Sequence, residues 1–235
     1  VHALPKTARI NTMQTHETIQ PETAIALHKT RAPTERPLDY VDLGTGTQAN
    51  HDKRLIGTAA GRRILELGCG NGHAAVGLAM RGARVTAIDE DVLQVRAARE
   101  LAIQQGITVE FHQTKLAELA FMAAEQIDLA VSVTSLCYVE DLNRVIRQVH
   151  RVIKVGGHLL VSLPHPAALC ADPDDPTRTI HAWRGSDALD GRYIHGVEAV
   201  VSSMCRTKFI VDNLLEVHAE GQLMPSTLLV RGRKS

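Results

Sequence analysis

The stretch Ile64-Leu65-Glu66-Leu67-Gly68-Cys69-Gly70-Asn71-Gly72-His73 is a short apolar run that breaks into glycines and then into the apolar-periodic residues 74–81. Such a run is the right length for a buried strand, and the spacing that follows it is that of a helix. Glycines between the two let the backbone turn tightly and come close to a ligand, while the first turn of the helix offers N–H groups without internal partners. A nucleotide-like ligand is the expected occupant. The next apolar run, 84–88, leads into Asp89, seventeen positions after Gly72, where a carboxylate can accept hydrogen bonds from both hydroxyls of a ribose.

Outward from this loop the same alternation continues. Residues 63–67, 84–88, 108–111, 127–131 and 158–162 read as strands, and 74–81, 91–105 and 140–154 as helices. In the last of these, Leu142, Val145, Ile146, Val149 and Ile153 make one face and Asp141, Arg144, Arg147 and Arg151 another. Strand and helix alternating over this length predict right-handed crossovers and a parallel sheet covered on both faces. Residues 196–206 read as a helix, and 209–216 and 227–232 as two final strands. Residues 1–47 are polar and interrupted by Pro5, Pro21, Pro33 and Pro37, which predicts an N-terminal extension with one short helix near 22–29. The chain starts without Met and Met13 follows soon after, so residues 1–12 are left out of the fold. Residues 164–193, with Pro164, Pro166, Pro173 and Pro176, break the rhythm, and a long irregular stretch inside a compact domain is more often a lid or binding loop than filler. The predicted organisation is an extension and partial cover over 1–47 and a main domain over 48–235, with 164–193 as a substrate-side insertion.

With 235 residues, 44% of them hydrophobic and 22% charged, the chain suits one large folded domain. Lys+Arg and Asp+Glu both number 26, which argues against a generally basic nucleic-acid surface or a polybasic membrane anchor. No apolar run approaches the roughly 18 residues that span a bilayer. Cys69, Cys137, Cys170 and Cys205 form no C-x-x-C pair, as suits reduced thiols, and the histidines form no H-E-x-x-H, so no metal site is expected. A cytoplasmic location, with neither nucleic acid nor membrane as partner, follows as the expectation.

The glycine loop itself admits two ligands, because Gly70, Gly72 and Ala75 also satisfy the G-x-G-x-x-G/A pattern of dinucleotide-binding folds. That register requires the loop to begin two residues late, since counting from Gly68 puts His73 at the third glycine. Glu66 weighs further: a carboxylate there lies unfavourably near the phosphates of NAD but suits an aminoacyl ligand with a cationic amine.

Taken together, Glu66-Leu67-Gly68-Cys69-Gly70-Asn71-Gly72, Ala87-Ile88-Asp89, Ile127-Asp128-Leu129-Ala130 followed by Leu136-Cys137-Tyr138-Val139-Glu140-Asp141, and Val149 through Lys154-Val155-Gly156-Gly157-His158-Leu159 resemble the class I S-adenosylmethionine-dependent methyltransferases. The resemblance runs from about residue 55 to 233 and is nearest to the small-molecule branch typified by ubiquinone-biosynthesis methyltransferases. It implies an α/β, Rossmann-like doubly wound sheet of seven strands in the order 3-2-1-4-5-7-6, with the last strand antiparallel, and S-adenosyl-L-methionine as cofactor. It further implies that Gly68, Cys69 and Gly70 line the methionine and ribose part, with Gly72 completing the loop. Glu66 would lie near the amino group, Asp89 bind the ribose hydroxyls, Glu90 flank the adenine, Leu116 offer its N–H to adenine, and Ser132 and Val133 contact the methionine end. One departure stands out: where many relatives carry an Asp after the third strand, this chain has Gln113-Thr114-Lys115-Leu116, and Lys115 cannot accept from the adenine amino group. Gln113 is the alternative acceptor.

Methyl transfer from a sulfonium needs a nucleophile lined up behind the carbon, so positioning and exclusion of water do most of the work. A base, where one is used, is expected after the fourth or fifth strand, which selects Tyr138 and His165, with His181, Trp183 and His195 as weaker candidates. The resulting expectation is a methyl transfer to an O, N or C atom of a small molecule. The alternatives are an NAD(P)-dependent oxidoreductase, disfavoured by the loop register, and a non-catalytic S-adenosyl-ligand-binding protein, kept open by Lys115.

Overall fold

The computed structural model describes residues 38–172, 178–180 and 191–235. In chain order they form α1 (Ala49–Leu55), β1 (Arg63–Leu67), α2 (His73–Met80), β2 (Arg84–Asp89), α3 (Val92–Gln104), β3 (Glu110–Gln113), β4 (Ile127–Val133), a 3₁₀ turn (Ser135–Tyr138), α4 (Leu142–Val152), β5 (Ile153–Pro164), α5 (Pro166–Cys170), α6 (Val197–Arg206), β6 (Phe209–Val217) and β7 (Thr227–Lys234). The strands build one seven-stranded sheet in the order β3-β2-β1-β4-β5-β7-β6. Strands β1 to β5 pair in parallel, and β7 runs antiparallel to both β5 and β6. This is the order and the antiparallel last strand that the resemblance implies.

The continuous apolar strands follow from burial on both faces. Leu65, Leu67, Ile88 and Ala130 pack into one core with Val145, Ile146 and Val149 of α4. Ile64, Val85, Ala87, Leu129 and Val131 pack on the opposite side with Val76 and Leu78 of α2 and with Val95 and Ala98 of α3. Strand alternation of period two assigns neighbours to opposite cores, and the 3.6-residue helical period supplies the matching stripes.

Three segments differ from the sequence reading. The third strand lies at Glu110–Gln113 rather than 108–111, because pairing with β2 sets the register Thr86↔Glu110 to Asp89↔Gln113. A short edge strand takes its limits from its partner more than from its own apolar residues. Strand β5 begins at Ile153 instead of 158, and Ile153, read as the end of the helical face, pairs with Ile127. A buried isoleucine satisfies both periodicities, so spacing could not separate them. Residues 164–193, read as irregular, contain α5 and a bridge between Ala171 and Thr179.

The expected boundary after residue 47 falls within packed structure. Val41 and Leu43 are buried in the core beneath α2 and α3. The Leu43 carbonyl accepts from Ser162 Oγ, and the Thr45 carbonyl accepts from Thr227 Oγ1 at 2.7 Å. The helix expected near 22–29 lies outside the described residues, as do His181 and Trp183. Among the described residues no helix is long and apolar enough to cross a membrane.

Candidate active site

At the carboxyl end of β1 the chain enters the loop 68–72, whose form is fixed by its own backbone. The N–H groups of Gly68 and Cys69 both donate to the Ile88 carbonyl, at 2.8 and 2.9 Å, and Gly72 N–H donates to the Cys69 carbonyl at 2.9 Å. Gly70 N–H donates to Asp89 Oδ2 at 2.9 Å, while Asp89 Oδ1 accepts from Asp91 N–H at 2.9 Å. The end of β2 therefore carries the loop. Capping of α3 falls to Asp91, whose Oδ1 accepts from Leu93 N–H at 2.8 Å, which leaves the Asp89 carboxylate to the loop.

The loop glycines, all left-handed, have different reasons to be glycine. A side chain on Gly68 (φ +71°) would collide with the β-carbon of Ser135, and one on Gly72 (φ +86°) would stand 2.7 Å from the β-carbon of Ala98 in α3. On Gly70 (φ +51°) it would meet nothing nearer than Gln94 Oε1 at 3.8 Å. Gly68 and Gly72 thus let elements of the fold close on one another, whereas Gly70 faces open space beside the loop. Ser135 was not singled out in the sequence, yet its hydroxyl donates to the Leu67 carbonyl and lies 2.7 Å from Ser132 Oγ. No local signal could find it, since the contact joins positions 68 residues apart.

Electrostatics divide the candidate ligands. Glu66 is only 2% exposed. Burial pushes the Cys69 thiol up, and the nearby carboxylates of Glu66 and Asp89 push it the same way. Two carboxylates therefore converge on the middle of the loop. A phosphate about 5 Å from either would be repelled by about 3 kcal/mol at an effective dielectric near 20. The N–H groups of Gly68, Cys69 and Gly70, which a pyrophosphate would need, are already donated inside the protein. A cationic amine and a sulfonium, by contrast, are favoured there. The residues present fit an S-adenosyl ligand and oppose a dinucleotide.

The other expected positions line the same end of the sheet. Glu90 is exposed, and its carbonyl accepts from Gln113 Nε2 at 3.4 Å, so the amide oxygen of Gln113 keeps its capacity to accept. Lys115 is exposed and Leu116 is half-buried against the core on the α4 side. Ser132 and Val133 close β4, with Val133 paired to Ser162.

On the acceptor side the structure departs from a free histidine base. His165 is 2% exposed, and its Nδ1 accepts from Ala167 N–H at 3.1 Å, capping α5. That bond puts the ring proton on Nε2, which donates to Glu216 Oε1 at 2.9 Å. Both ring nitrogens thus join β5 to α5 and β6. Tyr138 ends the 3₁₀ turn after β4 and is half-buried. Two residues of the next described segment fold back onto this turn: Tyr193 N–H donates to the Cys137 carbonyl at 2.6 Å, and His195 Nε2 donates to the Val139 carbonyl at 2.7 Å. Burial holds the His195 ring below its ordinary pKa, hence neutral.

A methyltransferase domain family model matches residues 65–161. A ubiquinone biosynthesis O-methyltransferase from Pseudomonas syringae pv. tomato is 36% identical over 103 residues, covering 44% of each chain. One from Marinobacter nauticus is 38% identical over 113 residues, covering 47% of each. The aligned part thus spans less than half the length of these relatives. Among solved structures, an S-adenosylmethionine-dependent methyltransferase from Mesorhizobium loti superposes with a TM-score of 0.64 at 26% identity, covering 75% of this chain and 93% of that one. Magnesium protoporphyrin IX methyltransferase from Synechocystis PCC 6803, with S-adenosylmethionine bound, gives 0.55 at 17% identity, covering 77% and 73%, a likeness of fold. The chain carries a class I S-adenosylmethionine-dependent methyltransferase domain.

Proposed function

We propose that the protein transfers the methyl group of S-adenosylmethionine to a small organic acceptor held over the carboxyl ends of β4 and β5. The observation that carries this reading is the Asp89 carboxylate bonded to Gly70 N–H, with the buried Glu66 carboxyl close enough to act on the neighbouring Cys69 thiol. In this reading Glu66 faces the amino group, Gly68, Cys69 and Gly70 line the methionine and ribose part, and Gly72 holds the loop against α3. The free lone pairs of Asp89 take the ribose hydroxyls, Glu90 and Leu116 flank the adenine with Gln113 as acceptor, and Ser132 and Val133 border the methionine end. Bound S-adenosylmethionine supplies an electrophilic methyl on sulfur, with S-adenosylhomocysteine as the leaving product.

What the chain itself contributes is alignment and shelter. Residues 38–47, 165–172 and 191–195 form the cover, and Tyr138, Tyr193 and His195 border the acceptor. His165 is a positioning residue that fixes α5 through Ala167 and Glu216, and no step needs it as a base. The named relatives are O-methyltransferases of ubiquinone biosynthesis, so an oxygen nucleophile on a small ring is the first acceptor class to try. Incubation of the full chain with methyl-labelled S-adenosylmethionine and a panel of small phenols, amines and carbon acids tests this. Label on a panel member, with equimolar S-adenosylhomocysteine, is the expected result. Tight cofactor binding with no transfer to any class would favour the non-catalytic binding reading.

A further inference from the structure

At the opposite end of the sheet from the glycine loop, α4 and α6 finish side by side and leave a shallow recess of about 250 Å³ lined by Arg147, His150, Arg206, Thr207 and Lys208. Its chemistry is one-sided. Arg147, Arg206 and Lys208 are exposed, and among the described residues no carboxylate lies within 4 Å of any of them. The whole chain carries equal numbers of cationic and anionic residues, so this cluster is no by-product of a basic composition. His150 Nε2 is buried there without a hydrogen-bond partner, its ring edge-on to Phe209 at 5.1 Å. Burial and the cations Lys234 and Lys208 hold His150 below its ordinary pKa, against the opposing pull of Glu125.

Helix ends alone do not account for the cluster. The C-terminus of a helix carries about half a negative charge, and a basic residue in its last turn is a common, weakly stabilising complement. Two such ends amount to about one negative charge, against three full positive ones. Lys208 also occupies a costly conformation. It follows α6 at φ +65°, a left-handed position where glycine or asparagine is the usual residue. The turn is fixed from both sides: Thr207 Oγ1 donates to the Ser203 and Met204 carbonyls, each at 2.9 Å, and the Lys208 carbonyl accepts from Ser235 Oγ at 3.2 Å. A strained lysine is thus held where an uncharged residue would be cheaper, beside two arginines and an unsatisfied imidazole nitrogen.

We propose that this recess binds a phosphate-class anion through Arg147, Arg206 and Lys208. Arginine forks and a lysine point charge suit the several oxygens of a phosphate or diphosphate. A soluble phosphorylated compound and a phospholipid headgroup share that chemistry. The site stands apart from the loop at Gly70, so its occupancy does not depend on the methyl-transfer reading.

Calorimetric titration of the full chain with inorganic pyrophosphate at low ionic strength, against chloride at matched ionic strength, tests the proposal. Binding with pyrophosphate only is expected. Lys208→Gly should weaken it about tenfold, as loss of one charge-assisted contact does, yet raise the Tm by roughly 2 °C through relief of the left-handed strain. A variant that melts higher and binds worse cannot be explained by misfolding. Arg206→Gln should weaken binding similarly, and S-adenosylhomocysteine affinity should stay unchanged in both. Vesicles of phosphatidylcholine with and without phosphatidic acid separate the sources. Sedimentation only with phosphatidic acid, reversed by pyrophosphate, assigns the site to a headgroup, and pyrophosphate binding without sedimentation assigns it to a soluble phosphate. No pyrophosphate binding beyond the chloride control, or wild-type affinity in both variants, would overturn the proposal.

Discussion

The two halves of the sheet's carboxyl edge are held by different means. Around β1 and β2 the loop 68–72 is tied mostly by backbone groups, the N–H groups of Gly68 and Cys69 donating to the Ile88 carbonyl and that of Gly70 to the Asp89 carboxylate. After β5 side chains share the tie, His165 to Glu216 and His195 to the Val139 carbonyl, beside the backbone bonds of Tyr193 to Cys137 and of His165 to Ser226. A backbone-tied loop keeps its shape whatever most side chains are, provided glycine stands where chains touch. A side-chain-tied segment can be retuned by single substitutions. The first arrangement suits an invariant cofactor and the second an acceptor that differs among proteins of one fold.

The largest effect should come from Gly68→Ala. The collision with Ser135 and the left-handed backbone together cost about 3 to 5 kcal/mol, enough to lower the Tm by about 10 °C or prevent folding. Gly70→Ala should cost only about 1 kcal/mol of conformational strain while weakening S-adenosylhomocysteine binding at least about tenfold, because its methyl enters the open space beside the loop. Equal melting of the two variants would break the distinction between packed and ligand-facing glycines. Next, Asp89→Ala should weaken S-adenosylhomocysteine binding by about 10- to 100-fold, the value of one charge-assisted hydrogen bond or more. A lower Tm with unchanged affinity would reduce Asp89 to a loop tether.

His165→Ala sharpens the other side. As a positioning residue it should lose about 1 to 2 kcal/mol of stability with its cap and buried bond, raise the acceptor KM, and lower kcat less than tenfold with the pH profile unchanged. Glu216→Gln alone, whose amide oxygen still accepts from His165 Nε2, should retain most of the activity. Loss of about 100-fold or more, together with one limb of the pH profile, is the mark of a general base and would return His165 to the chemistry. The smallest effect concerns the buried thiols. Burial raises Cys137 from 9.0 to about 12, and Cys69 is raised as well. Unfolded thiols ionise first, so the native state is fully favoured below about pH 9 and loses stability between there and about pH 12. Thermal melts across this range should fall, and less steeply in Cys137→Ala.

Much of this was legible in the sequence, and the missing parts share a cause. The loop, Asp89 and the parallel sheet covered on both faces rest on local patterns, glycines at short spacing and apolar runs of fixed period, and those patterns survive into the fold, whereas the strand order followed from the family resemblance. The partners that decide roles are remote. Nothing near Gly68 announces Ser135, and nothing near His165 announces Glu216, 51 positions away. A histidine directly after a strand reads as a base until its second nitrogen is seen capping a five-residue helix. The packing of Val41 and Leu43 was hidden likewise, since two apolar residues in a polar, proline-rich stretch carry no periodicity.

The proposed function requires the loop at 68–72 to take an S-adenosyl ligand beside Asp89 and Glu66 and to exclude a phosphate. Side-by-side calorimetric titrations of the full chain with S-adenosylhomocysteine and with NADH test that most directly, backed by melts at saturating ligand. S-adenosylhomocysteine should bind and, at about 100 times its Kd, stabilise by about 2.7 kcal/mol, with no heat or shift from NADH. Binding of NADH with none of S-adenosylhomocysteine would contradict the account.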